Sequence, residues 1–326
     1  MRILWVSHIL LYPETGYGAL QRSRNLLLEL AKHNEVHLIC LTNSYNKDAI
    51  DLTAAQLDLE KYCKSVHFIN NSNQLKKYSS IAQSLIFGNS YTEKLYNSRL
   101  LKSLVKKIVD KENVELVHLD TIGLFDDIKS VCKVRASLNH HNFESRMMKE
   151  RANREENILK KLFILKEAQS IARLEKQIAN TFDVNIFVSK NDLSDFNKEI
   201  VKVNSAVIEN PVDLDIFKYQ SELSSKKNII FVGGLDWYPN LSAVNYFINS
   251  ILPQLIERDN QIKFYVVGRE VKGLPQHPHV IYTGFVADLQ EYLSSARVFV
   301  CPMLEGGGTR LKVIDALAAG IPLVST

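Results

Sequence analysis

The chain has 326 residues, 46% of them hydrophobic and 23% charged, with a formal net charge of +4. This is ordinary soluble globular composition, and the length allows two domains with a sizeable core. The 40 basic residues are interspersed with 36 acids, which excludes a nucleic-acid-binding block and leaves a weak attraction to anionic substrates or a membrane face. Cys40, Cys63, Cys132 and Cys301 are scattered without a C-x-x-C pair or histidines at metal spacing. Neither a disulfide framework nor a zinc site is expected, and a reduced cytosol fits best. The N-terminus lacks the apolar stretch and small-residue cleavage site of a signal peptide, and no apolar run approaches the ~18 residues of a membrane span.

Short apolar, β-branched runs alternate with helical stretches, the pattern of parallel sheets covered on both faces by helices. In the first part the expected strands are Arg2 to Ile9, Val36 to Leu41, Ser65 to Ile69, Leu116 to Asp120, Val134 to His140 and Val184 to Ser189. One long amphipathic helix is expected from Glu144 to Thr181, its charged face solvated. Residues 207–227 loosen into proline, serine and lysine and are read as a linker between residues 1–206 and 228–326. A second alternation follows, with strands at Asn228 to Gly234, Ile262 to Gly268, His279 to Phe285, Arg297 to Pro302 and Pro322 to Thr326. Helices are expected at Asn240 to Glu257, at Asp288 to Ser295 and after the triple glycine. Because the chain stops on a strand that helices would normally cover, it is read as a C-terminally truncated piece of a longer protein, or as one whose exposed end something else covers.

The most informative stretch is EGGGTRLKVIDALAAG, Glu305 to Gly320. Three glycines run into Arg310 and Lys312 at the start of a helix, where the helix dipole disfavours cations by ~0.3 to 1 kcal/mol each. A helix apolar nearly all round is expected to be buried, ending at Gly320. Either Lys312 pairs with Asp315 at i,i+3 and the glycines only turn the chain, or backbone N–H groups and the two cations hold a phosphate. A second glycine turn, Pro13 to Leu30, follows the first strand where a doubly wound sheet places its ligand. Gly16 and Gly18 fit G-x-G, but Gln21 stands where a dinucleotide fingerprint has its third glycine. LNHHNFES (Leu138 to Ser145) sets His140 and His141 at a strand's carboxyl end. The Asp213 and Asp215 pair lies in the linker and is set aside as a metal site.

TGYG with QRSRNLLLEL, HNFES, VSKND, IENPVDLDIF, VGGLDWYPN and EGGGTRLKVIDALAAGIPLVST together resemble the GT-B glycosyltransferases, and more closely glycosyltransferase family 4 in its bacterial surface-polysaccharide branch. The resemblance spans essentially the whole sequence and implies an α/β chain of two Rossmann-like domains facing across a cleft, the second incomplete. It implies a retaining hexosyltransferase that moves a sugar from a nucleotide diphosphate donor to a glycan or lipid-linked acceptor, with no metal or other cofactor. Residues 1–206 would be the acceptor-side domain and 228–326 the donor domain, in the cytoplasm or peripheral at the inner membrane face. The implied catalytic residues are His141, at the transferred sugar, and Glu305. Gly234, Asp236, Trp237, Gly307, Gly308, Thr309, Arg310, Lys312 and Asp315 would bind the donor, the cations on the diphosphate and Asp315 on the ribose. Gly16, Gly18 and Arg22 would meet the donor phosphate or the acceptor. The sequence departs from the family in its acidic pair, since Gly307 stands eight before Asp315 and Glu305 ten before. It also lacks the arginine and lysine that often follow the second domain's first strand. A sugar-nucleotide epimerase and a non-catalytic nucleotide-sugar or glycan-binding subunit are the alternatives.

Overall fold

The computed structural model describes the chain except residues 13–17, 43–50, 72–77, 82, 85–87, 97, 126–132, 213, 215–216, 218, 220–223, 287 and 305–309. It divides into two compact units, Met1–Glu209 and a second beginning at Asn210. The first contains a seven-stranded parallel sheet of β1 (Arg2–Ser7), β2 (Glu35–Thr42), β3 (Ser65–Asn70), β4 (Leu116–Leu119), β5 (Arg135–His140), β6 (Val184–Phe187) and β7 (Ser205–Val207). Their order is β3-β2-β1-β4-β5-β6-β7. Strand order reverses between β1 and β4, which opens a crevice at their carboxyl ends. The central strands bury both faces: in β1 every residue from Ile3 to Ser7 is buried, as helix-covered parallel strands require.

Helices α1 (Gly18–Ala31), α2 (Leu52–Leu59), α3 (Tyr91–Tyr96), α4 (Arg99–Glu112), α5 (Glu144–Arg154), α6 (Ile158–Ala179) and α7 (Lys190–Glu199) belong to this unit, with a short 3-10 turn at Ile122–Leu124. The single helix expected over Glu144 to Thr181 is two. The Asn157 side chain accepts from Lys160 N at 3.0 Å and caps a new helix, so the chain turns at 155–157. Nor is the charged face wholly solvated. Glu167 and Glu175, eight residues apart on α6, are buried, because each caps the N-terminus of a neighbouring helix. Glu167 accepts from Ser90 Oγ at 2.7 Å and Tyr91 N at 2.9 Å at the start of α3. Glu175 accepts from Ser145 N at 3.2 Å at the start of α5.

Burial pushes the Glu175 carboxyl up to about 8, against the bonds from Ser145. A carboxyl neutral in the fold and ionised in the unfolded chain takes up a proton on folding. The Glu175 contribution to stability is therefore greatest below the unfolded value of roughly 4.3 and falls by about 1.4 kcal/mol per pH unit until pH passes about 8. Urea denaturation of Glu175→Gln between pH 5 and pH 8 should lack that slope; an unchanged slope would rule out Glu175 as its source.

The second unit is a five-stranded parallel sheet of β8 (Asn228–Val232), β9 (Lys263–Val267), β10 (Val280–Gly284), β11 (Val298–Cys301) and β12 (Leu323–Ser325), in the order β10-β9-β8-β11-β12. The switch point here lies between β8 and β11. Helices α8 (Tyr238–Tyr246), α9 (Leu252–Arg258), α10 (Leu289–Ser295) and α11 (Leu311–Ala318) connect the strands. A π-turn at Phe247–Ile251 joins α8 to α9. Pro253 cannot donate to the carbonyl four residues back, and the widened turn accommodates it.

Helix α11 is half-buried rather than buried all round: Leu311, Asp315 and Ala316 face inward, while Leu317 is exposed. It ends as expected, with Gly320 at φ +75°. Gly320 N donates to Leu317 O and Ile321 N to Ala316 O, both at 3.0 Å, the paired bonds of a Schellman cap.

Gly268, at φ +139°, lies against the backbone after β8. A Cβ there would come within 2.5 Å of Gly233 O and 2.6 Å of Gly233 C. Neither atom is a flexible side-chain end, so Gly268→Ala should destabilise the second unit by about 2 kcal/mol or more. Thermal denaturation checks this; an unshifted midpoint would show that the β8 and β9 loops separate easily.

Candidate active site

At the crevice of the first unit, β1, β4 and β5 deliver a connected set of polar groups. Asp120 follows β4 and is fully buried. Its Oδ2 accepts from Ser7 Oγ at 3.2 Å, and its Oδ1 accepts from Asn139 Nδ2 at 3.1 Å. The same Oδ1 stands 3.2 Å from His141 Nε2. Asn139 in turn accepts at Oδ1 from Arg22 Nη2 at 3.2 Å, so the buried guanidinium of α1 is tied into the cluster. The ring of His8 lies 5.8 Å from that of His141, centroid to centroid.

Burial alone would raise the Asp120 carboxyl. Electrostatic attraction and a hydrogen bond from His141 instead hold it well below the usual carboxylate range. Burial pulls His8, His118 and His140 down to about 4, so these three rings are neutral at neutral pH. Burial likewise lowers Arg22 to about 10, with Asp120 opposing. His140 stacks on Phe187 at 4.4 Å and bonds Asn185 at 3.0 Å. It therefore points into the core, and His141 is the histidine at the crevice.

In the second unit, Lys312 on α11 crosses the switch point to Asn240 on α8. Its Nζ donates to Asn240 Oδ1 at 2.5 Å and lies 4.3 Å from the centroid of Phe231. Asn240 Nδ2 donates to Gly234 O at 2.8 Å. Gly233 makes the approach feasible, for a Cβ there would stand 2.7 Å from Lys312 Nζ and 2.6 Å from Asn240 Nδ2. Arg310, at the N-cap of α11, donates to Met303 O at 3.2 Å.

Both cations thus use neutral oxygens, and among the described residues neither has a carboxylate at ion-pair distance. Pairing of Lys312 with Asp315, the alternative open from sequence, is replaced by the bond to Asn240. Burial lowers Lys312 to about 8 and raises Asp315 to about 7. Asp236 binds Arg269 at 2.9 Å, and Trp237 is 39% exposed at the N-cap of α8.

Each unit therefore gathers its own share of the expected residues. Arg22 joins His141 through Asn139, while Gly18 opens α1. Gly234, Arg310, Lys312 and Asp315 collect around the β8–β11 switch point. Gly16, Asp213, Asp215, Glu305, Gly307, Gly308 and Thr309 lie outside the described residues.

Sequence reasoning missed Asp120 and Asn139 as partners of His141, Ser7 as a partner of Asp120, and His8 beside them. Their signal was available, since each is a polar residue at or beside the carboxyl end of an otherwise apolar strand. His8, Asp120 and His141 place possible ligand atoms within 4.8 Å of one another, a spacing that could hold a metal ion. The same closeness lets Asp120 anchor His141 directly.

An uncharacterized 44.6 kDa protein in the cps region of Klebsiella pneumoniae is 26% identical, over 100% of this chain and 82% of its own length. Anabaena HepE in complex with UDP and glucose has TM-score 0.65 at 13% identity, covering 100% of this chain and 80% of that one. A variant of S. aureus TarM in complex with Fondaparinux, alpha-GlcNAc-glycerol and UDP has TM-score 0.64 at 13% identity, covering 99% and 85%. With two parallel α/β units in tandem, the fold is that of the GT-B glycosyltransferases. Residues 226–326 match the family model described as "Glycosyl transferases group 1", so the second unit carries a glycosyltransferase domain.

Proposed function

We propose that the chain is a retaining, metal-independent glycosyltransferase of family 4, moving a sugar from a nucleotide diphosphate donor to a glycan or lipid-linked acceptor in surface polysaccharide synthesis. The observation that carries the reading is the pair of cations at the start of α11, held by Met303 O and Asn240 Oδ1 without a carboxylate partner among the described residues. A diphosphate supplies the missing negative charge. With the helix N-terminus, these cations would stabilise the leaving diphosphate as a divalent ion does elsewhere.

In this reading the second unit is the donor domain, with Asp315 at the ribose and Gly234, Asp236 and Trp237 lining the donor. The first unit is the acceptor-side domain, and His141 meets the transferred sugar. Glu305, Gly307, Gly308 and Thr309 would complete the donor site, and Gly16, Gly18 and Arg22 would serve donor phosphate or acceptor. The similar structures support the choice of donor, since Anabaena HepE was determined in complex with UDP-glucose. The Klebsiella relative's place in a cps region supports the polysaccharide context. The enzyme would work at the cytoplasmic side, where nucleotide sugars are made.

The test is a thermal-shift screen of nucleotide sugars followed by transfer assays. A ligand at a hundred times its dissociation constant stabilises by about 2.7 kcal/mol. One nucleotide sugar should raise the midpoint and then lose its sugar to an acceptor or, slowly, to water. Binding without either reaction would overturn the enzymatic reading, and interconversion of the free nucleotide sugar would make the protein an epimerase.

A further inference from the structure

The turn joining α5 to α6 carries an apolar cluster facing solvent. Ile158, Leu159 and Leu162, in the first turns of α6, are 73%, 79% and 59% exposed. Further along the same helix, Ile164, Ile171, Leu174 and Ile178 turn into the core. Lys160 and Lys161 stand between the exposed aliphatic residues, and Arg154 ends α5 across the turn. Among the described residues neither lysine is in an ion pair. The turn's acids, Glu155 and Glu156, interrupt this basic character, but Glu155 accepts from Asn157 N at 3.0 Å. No helix among the described residues is long and apolar enough to cross a membrane.

We propose that this hairpin tip docks the protein on an anionic lipid bilayer, the three aliphatic side chains entering the interface while Lys160 and Lys161 meet lipid phosphates. Charge decides the occupant. A second copy of the chain would bring the same cations against each other, whereas an anionic surface complements them. Size agrees, because three side chains fall far short of the roughly 800 Å² per partner of a stable protein interface.

The hairpin also connects this tip to the crevice. Helix α5 begins three residues after His141, and its first turn is pinned to α6 by Ser145 N on the buried Glu175. Its 11 residues span about 16 Å. A docked tip therefore holds His141 at a short, set distance from the lipid surface. That suits the lipid-linked form of the acceptor, and this part of the inference rests on the function proposed above.

Flotation of the full chain with vesicles of phosphatidylcholine alone, or mixed with phosphatidylglycerol, tests the proposal. Binding should be about tenfold or more stronger to the mixed vesicles and weaken with added salt. The triple substitution Ile158→Ser, Leu159→Ser, Leu162→Ser should abolish it, and Lys160→Glu with Lys161→Glu should remove the preference for anionic lipid. Nucleotide-sugar binding, measured by calorimetry, should be the same in all three proteins. No vesicle binding by the native chain, or binding indifferent to the serine substitutions, overturns the proposal. So does a solution dimer that those substitutions dissociate. Vesicle binding as described, in a protein that transfers no sugar, would sink the enzymatic reading and leave the docking surface standing.

Discussion

His141→Ala should lower turnover on the order of a hundredfold while leaving donor affinity nearly unchanged. The scale is that of one well-placed polar group removed from a transition state. The ring is held by a carboxylate rather than by solvent: Nε2 stands 3.2 Å from Asp120 Oδ1, and Asp120 is fixed by Ser7 and Asn139. Asp120→Asn should therefore also reduce turnover, by about tenfold, acting through His141. Combining it with His141→Ala should add nothing, because residues that work through one another are not additive. Steady-state kinetics of the two single variants and the double variant, with calorimetry for the donor, decides the matter. Equal loss of donor affinity and turnover in His141→Ala would make the histidine structural. Full additivity would show that Asp120 supports the fold and not the ring.

The second large effect is expected at the diphosphate. Arg310→Ala combined with Lys312→Ala should weaken nucleotide diphosphate binding by about tenfold or more, as loss of charge-assisted hydrogen bonds entails. Unchanged affinity by calorimetry would remove the phosphate assignment. A pH dependence should accompany it. Burial lowers Lys312 to about 8, so in the free protein the cation is present below that pH and lost as pH rises through it. Affinity should fall between pH 7 and pH 9, and Lys312→Arg, which stays charged, should flatten the fall. Gly233→Ala tests the geometry independently: its Cβ would crowd Lys312 Nζ and Asn240 Nδ2, so it should weaken diphosphate binding although it removes no polar group.

Much of this molecule is legible in its amino-acid order. Period and composition sufficed for eleven of the twelve described strands, because a strand covered on both faces must be largely apolar, as in β1 and β8; the three-residue edge strand β7, Ser205–Val207, carries too short a signal and was not expected. Gly320 announced the end of α11, since a Schellman cap needs a positive φ there. The triple glycine followed by Arg310 and Lys312 gives, through elementary charge arguments, the expectation of an anion site that the diphosphate-binding measurement above decides.

Other features depend on contacts between residues distant in sequence. Asp120 and His141 are 21 positions apart, and only the adjacency of β4 and β5 makes them neighbours. Asp315 lies three residues beyond Lys312 on the same helix, at ion-pairing spacing. Strand order instead placed Asn240 within reach, 72 residues away. The division of the expected long helix at 155–157, the burial of Glu167 and Glu175, and the exposure of Ile158 and Leu159 share one origin. Helical period marks which side chains lie on one face, but whether that face meets core, a helix terminus or water depends on what packs against it. Local order thus determined the elements and the kind of chemistry at their ends, and tertiary packing decided which partner each polar or apolar group met.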